Sequence, residues 1–414
     1  MNIAKIKAVA GSELTNQGMF SAPIPEGMPF LVDRDSGKVI EPVLHFISDT
    51  HRKCSNTDNA RCDDLKDWFI YLDEFSICWT DAENQELRQY QLIMQKTISA
   101  RHEPYSDKTI GRRTATILKF YRYWSGKGVY KGTIEITKDR YGHLSIDSNP
   151  LAHLGIGKNK KSSAYEGIDQ VDVEPISVMT PKAWREISER LGDISSAKRL
   201  IWEVCLQTGM RIHETLALKK YQLQVLTPNP DMPNAVQSIQ VTGKGGRRRN
   251  ILIPNWLIDQ LNMYIANERD RAIKDRLGGD SKSLFLNSGA RPHVGNPVSQ
   301  RTALRQFNMA VISAGYTCMV GKINPESGEI YYTSQARYTG HSTRHTFAIW
   351  TYYSRKNSGD SEPWKYIQTR LGHKNLQTTF DTYLRSADDF EAEISDRLLI
   401  DFRKIIAGHE CDEV

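Results

Sequence analysis

Between Asp63 and Trp124 the apolar residues recur at helical spacing, and this recurrence restricts the fold more than any other feature of the chain. Leu65, Trp68, Phe69, Leu72, Phe75 and Trp79 fall three and four residues apart, which puts them on one face of a helix. A second helical segment follows from Ala82 to about Ile98. A third starts at Ser106-Asp107, a pair suited to capping a helix, and carries Ile110, Ile117, Phe120, Tyr121 and Trp124. Helices with wide aromatic stripes must bury them against one another, so this region reads as a helical bundle. The third helix also carries Arg112, Arg113 and Lys119, a basic outer face suited to a DNA backbone as well as to solvent.

The flanks organise around this bundle. Residues 1–60 are rich in turn formers and read as an N-terminal extension, with short strands Phe30–Asp33 and Val39–Ile40 about the turn Asp35-Ser36-Gly37-Lys38. The helical domain is expected over 61–155, with strand-like pieces Gly132–Ile136 and His143–Ile146 near its end. Residues 156–174, with Lys158, Lys160 and Lys161, read as a basic linker. A second domain over 175–385 begins with a helix capped by Thr180-Pro181 and another from Ser196 to Gln207. It continues with a short helix over Glu214–Lys219 and two strands, Gln237–Thr242 and Asn250–Pro254. Between the strands lies the glycine-rich basic tip Gly243–Arg249, which holds Lys244, Arg247 and Arg248 as well as Arg249. Helices around Trp256–Asn267, Ser299–Ala314, His341–Tyr353 and Trp364–Leu371 complete it. The fold class expected is mostly α with a small β-hairpin, an α+β arrangement.

Bulk properties exclude little. A net charge of +6 permits a nucleic-acid partner without establishing one. The six cysteines form no Cys-x-x-Cys pair, so neither a disulfide frame nor a zinc site is expected. No apolar run is long enough for a membrane span, and Met1–Lys5 begins no secretory signal, so a cytoplasmic protein is expected.

The chemistry is concentrated in the second domain. Thr208-Gly209-Met210-Arg211-Ile212-His213-Glu214, His341-Ser342-Thr343-Arg344-His345, Leu371-Gly372-His373 and the later Tyr383 combine arginines, histidines and a phenol. Guanidinium groups match phosphate oxygens two at a time, imidazoles move protons near neutral pH, and a phenol can act as a covalent nucleophile. Such a set suits a phosphodiester. Tyr352, Tyr353 and Tyr366 fall in helices where packing is the default role, whereas Tyr383 follows the largely polar run Gln377–Thr382. His341 and His345 do not make a metalloprotease helix, because Ser342 stands where that motif needs glutamate.

In this order the motifs resemble the tyrosine recombinase (phage integrase) family, and the segment 63–150 resembles its core-binding domain. The resemblance implies a helical core-binding domain, a catalytic domain, and a site-specific recombinase that joins DNA through a 3′-phosphotyrosyl bond, as for a mobile element. It implies Arg211, Lys244, His341, Arg344, His373 and the nucleophile Tyr383 as catalytic residues, with no metal and no cofactor. Arg211 and Arg344 would hold the non-bridging oxygens, His341 would accept or relay the phenol proton, and Lys244 would protonate the leaving 5′-oxygen. Glu214 would orient Arg211 or His345, while Arg247, Arg248 and Arg249 with Arg112, Arg113 and Lys119 would contact DNA. The partners implied are double-stranded DNA and three further copies of the chain, a tetramer on two duplexes. The tail 386–414, with Phe390, Ile394, Leu398 and Phe402 at helical spacings, fits a helix docked on a neighbouring copy or packed against its own chain. The spacing of ten from His373 to Tyr383 is longer than is usual in the family. Two other readings share the fold: a DNA-binding architectural protein without activity, and a nicking–closing enzyme similar to type IB topoisomerases.

Overall fold

The computed structural model describes residues 1–9, 24–51, 55–134, 177–243, 246, 248–276, 279–289 and 292–372. Packing divides the chain into one unit of Met1–Asp172 with Gly321–Tyr331, and another of Val173–Val320 with Tyr332–Val414. The protein is mostly α, and its described strands form three two-stranded sheets. No helix among the described residues is long and apolar enough to cross a membrane.

The first unit opens with β1 (Ile3–Lys7) paired antiparallel to β2 (Pro29–Asp33), Lys5 opposite Leu31. The expected turn follows β2: Ser36 Oγ donates to Asp33 Oδ2 at 2.6 Å, and Val39 returns to bridge Val32. Helix α1 (Glu41–Thr50) comes next, with proline in its first turn, where the missing N–H is not needed. The sequence reading had no helix here and began the bundle at Asp63; α2 starts earlier and runs Ser55–Glu74. Helix α3 (Asn84–Lys96) begins with a capping box in which Glu83 N–H donates to Glu86 Oε2 at 2.8 Å. Helix α4 (Asp107–Gly126) is capped by Ser106, whose hydroxyl accepts the Thr109 N–H.

Leu65, Trp68, Phe69 and Leu72 bury the expected face of α2. The stripe breaks at Phe75, which is half exposed beyond the helix end, and Trp79 packs from the loop that follows. Trp68 Nε1–H donates to Tyr121 Oη at 3.1 Å, and Tyr121 donates on to the Trp79 carbonyl at 3.0 Å, so the polar ends of these two buried rings are satisfied. Ile3, Met28, Leu31, Val43 and Phe46 belong to this same core. Residues 1–50 therefore include a working part of the bundle's interior. The strand-like pieces at 132–136 and 143–146 fall largely outside the described residues.

The second unit is built around α6 (Ser196–Thr208), which follows α5 (Pro181–Ile194) after the single residue Ser195. Leu200, Ile201, Trp202, Val204, Cys205 and Leu206 are all buried, so α6 presents apolar side chains around most of its circumference. Then come α7 (Ile212–Leu216), α8 (Lys220–Gln224) and the hairpin of β3 (Val236–Thr242) and β4 (Arg248–Pro254), in which Val241 faces Arg249. Helix α9 (Asn255–Tyr264) passes through a π turn at Ile265–Arg269 into α10 (Asp270–Lys274). Helix α11 (Gln300–Ser313) is capped by Ser299. A second hairpin, β5 (Thr317–Ile323) and β6 (Ile330–Ala336), whose Gly321–Tyr331 stretch is counted with the first unit, precedes α12 (Ser342–Asn357) and α13 (Pro363–Leu371). That hairpin was not expected from the sequence. Helix α6 packs against α5, α9, α12 and β4, and Trp202 meets Phe307 of α11 at 4.4 Å between ring centroids.

The shared core of the first unit makes a prediction. Leu31→Ala should lower stability by about 2–5 kcal/mol, the usual cost of emptying a filled apolar site. Urea unfolding monitored by tryptophan fluorescence checks it; an unchanged midpoint would mean that the N-terminal strands are a detachable arm.

Candidate active site

Two helices end where the chemistry gathers. Helix α6 closes on Gly209 and α13 on Gly372, both with φ +67°, the left-handed conformation that glycine adopts without a Cβ penalty. At Gly209 a Cβ would lie 2.5 Å from the Phe347 ring and 3.0 Å from Leu371, so glycine is also required for the close approach of α12 and α13. The last carbonyls of both helices lack intrahelical partners. Arg344, buried on the first turn of α12, donates Nη1–H to the Gly209 carbonyl and Nη2–H to the Leu371 carbonyl, the latter at 2.6 Å. One cation thus satisfies two negative helix ends.

Gly209 immediately precedes Met210 and Arg211, the N-cap of α7. The Arg211 N–H donates to Glu214 Oε2 at 2.9 Å, and its Nη1 stands 3.5 Å from Glu214 Oε1. The guanidinium remains partly exposed while the carboxylate is fully covered. The main partner of Glu214 is Arg249 of β4, which donates Nη1–H at 2.8 Å and Nη2–H at 2.7 Å, one to each oxygen. Burial opposes ionisation of Glu214, but the hydrogen bonds from Arg249 and the Arg211 backbone and the charges of both arginines prevail, holding the carboxyl at about 2. This folded value lies below the ordinary 4.5, so the arrangement stabilises the fold above that pH and loses this contribution as pH falls toward about 2.

His341 is the N-cap of α12, exposed, with its ring 5.5 Å from that of His345. Partial desolvation, then the positive charges of Arg344 and Arg211, push its pKa below the ordinary imidazole value. It is therefore neutral at pH 7 and able to accept a proton. His213, on α7, is shifted the same way, chiefly by desolvation. Arg211, Glu214, Arg249, His341, Arg344 and His345 thus lie in one unit, on α7, β4 and the start of α12. Lys244, Arg247, His373 and Tyr383 lie outside the described residues, although Gly372 fixes where the chain leaves toward His373. The rival tyrosines are engaged in packing: Tyr352 stacks on Trp364 at 4.3 Å, and the Arg355 guanidinium sits 4.0 Å over Tyr366.

Several of the cations expected to contact DNA have protein partners in the structure. Arg249 is largely buried on Glu214. Arg113 is largely buried too, 2.7 Å from Asp67 and with its guanidinium 4.6 Å over the Tyr105 ring. Arg112 is half exposed but holds both oxygens of the buried Asp64, at 2.5 and 2.6 Å. A buried carboxylate needs a hydrogen-bonded cation, and Asp64 and Glu214 find theirs in Arg112 and Arg249. Lys119 and Arg248 are exposed. The role of Arg249 was readable from strand parity: residues 249, 251 and 253 share a face, and Ile251 and Ile253 are fully buried. Among the described residues no group of three or more His, Cys, Asp or Glu side chains could hold a metal ion.

Residues 177–389 match the model of the phage integrase family. The chain is 24% identical over 345 residues to the tyrosine recombinase XerC of Herpetosiphon aurantiacus, covering 82% of this chain and 88% of that one. It is 24% identical over 343 residues to the tyrosine recombinase XerD of Staphylococcus haemolyticus, covering 82% and 92%. Its fold is similar to that of the XerH site-specific recombinase in a post-cleavage complex with palindromic difH substrate, with a TM-score of 0.51 and 16% identity over 82% of this chain and 79% of that one.

The placement of His341 beside two guanidinium groups can be tested directly. Its imidazole protons, followed by NMR, should titrate with a midpoint below the ordinary value of about 6.5, and Arg211→Gln should raise that midpoint by removing a nearby positive charge. A midpoint at or above the ordinary value, unmoved in the variant, would contradict the arrangement.

Proposed function

The chain belongs to the phage integrase family, and from that premise we propose a site-specific DNA recombinase that cuts and rejoins strands through a 3′-phosphotyrosyl intermediate on Tyr383. The observation that supports the reading most strongly is the gathering of Arg211, Arg344 and His341 in one unit, with Arg344 locked to two helix ends and His341 lowered in pKa by partial desolvation and then by the charges of Arg344 and Arg211.

Arg211 and Arg344 take the non-bridging oxygens of the scissile phosphate, where preorganised donors stabilise the charge of the pentacoordinate transition state. The Tyr383 hydroxyl oxygen bonds to phosphorus, and its proton passes to neutral His341. The P–O bond to the 5′-oxygen breaks, and that oxygen takes a proton from Lys244. His373 donates to the phosphate as charge develops. The phosphotyrosyl ester keeps the energy of the broken phosphodiester, so the 5′-hydroxyl of a partner strand can reverse the reaction without ATP. Exposed Lys119 and Arg248, with Arg247, contact the DNA backbone. Four copies act on two duplexes, with the tail 386–414 docking between them, and the work is done in the cytoplasm, where such DNA lies.

The test is strand exchange between two duplexes of unequal length that share a site selected by the protein, in chelator and without ATP. Hybrid-length products are expected, and none with Tyr383→Phe. Relaxation of a single supercoiled duplex without hybrids would favour a nicking–closing enzyme, and binding without either would favour an architectural protein.

A further inference from the structure

Glu214 carries a full negative charge beside a cation that the proposed reaction needs. Its side chain is fully covered, and among the described residues its charged hydrogen-bond partners are Arg211 and Arg249. Arg211 approaches through Nη1 at 3.5 Å, whereas Arg249 grips both oxygens at 2.8 and 2.7 Å. A two-pronged guanidinium–carboxylate contact is the strongest ion pair available to side chains. We propose that Arg249 is a positioning residue: it neutralises Glu214 so that the Arg211 guanidinium stays available for the scissile phosphate, and its stem supports the backbone at Gly372, next to His373 in the sequence.

The second part rests on Gly372. A Cβ at that position would lie 3.3 Å from Arg249 Cδ, so the arginine stem lies directly against the backbone one residue before His373. Arg249 sits on the inward face of β4 with Ile251 and Ile253, opposite Val241 in the register. The same strand begins at Arg248, on the far side of the loop that contains Lys244. One side chain therefore touches Glu214 of the Arg211 motif and the backbone at Gly372 from the first residues of β4. Without it, the cation left on Glu214 is Arg211, and the carboxylate draws that guanidinium toward itself and away from phosphate. Lysine keeps the charge but cannot span both oxygens.

This inference rests on the recombinase reading, so the experiment separates the two. Wild-type protein is offered a random-sequence pool of nicked duplexes, and duplexes retained covalently are recovered. Absence of any adduct overturns the recombinase reading and this inference with it. On a recovered duplex, Arg249→Met should lower the single-turnover rate of adduct formation at saturating DNA by about 10–100-fold, the usual effect of losing a partner that orients a site group. DNA affinity and its salt dependence should stay at the wild-type level. Adding Glu214→Gln should recover roughly tenfold of that rate, because the uncompensated carboxylate is gone. Arg249→Lys should fall between wild type and Arg249→Met, and it carries the test if the methionine variant melts below the assay temperature. An unchanged saturated rate with weaker binding and a salt slope reduced by about one would make Arg249 a phosphate contact instead. A double variant no faster than Arg249→Met would show that the residue does not act through Glu214. Either result overturns the proposal.

Discussion

Arg344 is the interaction on which the catalytic unit depends. Its guanidinium bridges the terminal carbonyls of α6 and α13, two helix ends separated by more than half of that unit's sequence. Buried carbonyls at a helix end must find donors, and a buried guanidinium must find acceptors. Each need answers the other here. The two glycines make the meeting possible, since a side chain at Gly209 would collide with Phe347 on the helix that carries Arg344. Packing and chemistry therefore share one geometry: the contact that closes the helical core also holds Gly209, two residues before Arg211, and Leu371, the last residue of α13.

Around this anchor the site is organised by charge. Three guanidinium groups, those of Arg211, Arg249 and Arg344, and one carboxylate, Glu214, lie within electrostatic reach of His213, and the excess is positive. Such an excess suits a ligand with negative oxygens, and the charges of Arg344 and Arg211 add to partial desolvation in lowering the pKa of His341. Glu214 is itself paired, since Arg249 holds both of its oxygens at 2.8 and 2.7 Å while Arg211 Nη1 stands 3.5 Å away.

Local signals in the sequence carried much of this. Thr180-Pro181 and Ser106 capped helices because their side chains can accept orphan N–H groups, and the alternation at 237–242 and 250–254 marked a real hairpin. The motif residues named themselves by type and order. What stayed hidden depended on three-dimensional pairing. Helix α1 is only ten residues long, and its Val43, Leu44, Phe46 and Ile47 show too few turns for periodicity to stand out. The β5–β6 hairpin is largely exposed, so it lacks the apolar alternation that reveals a half-buried strand. The partners of Arg112, Arg113 and Arg249 are carboxylates whose burial cannot be read from composition. Parity on β4 pointed inward for Arg249, but the basic run Arg247-Arg248-Arg249 suggested a solvated tip instead.

The most direct measurement is the identity of the residue joined to DNA. Wild-type protein trapped on a nicked duplex, digested and analysed by mass spectrometry should give one DNA-linked peptide, bearing its adduct on Tyr383, and Arg344→Ala should give none while the histidine and tyrosine remain in place. An adduct on Tyr352, Tyr353 or Tyr366, or undiminished adduct formation without Arg344, would contradict the account.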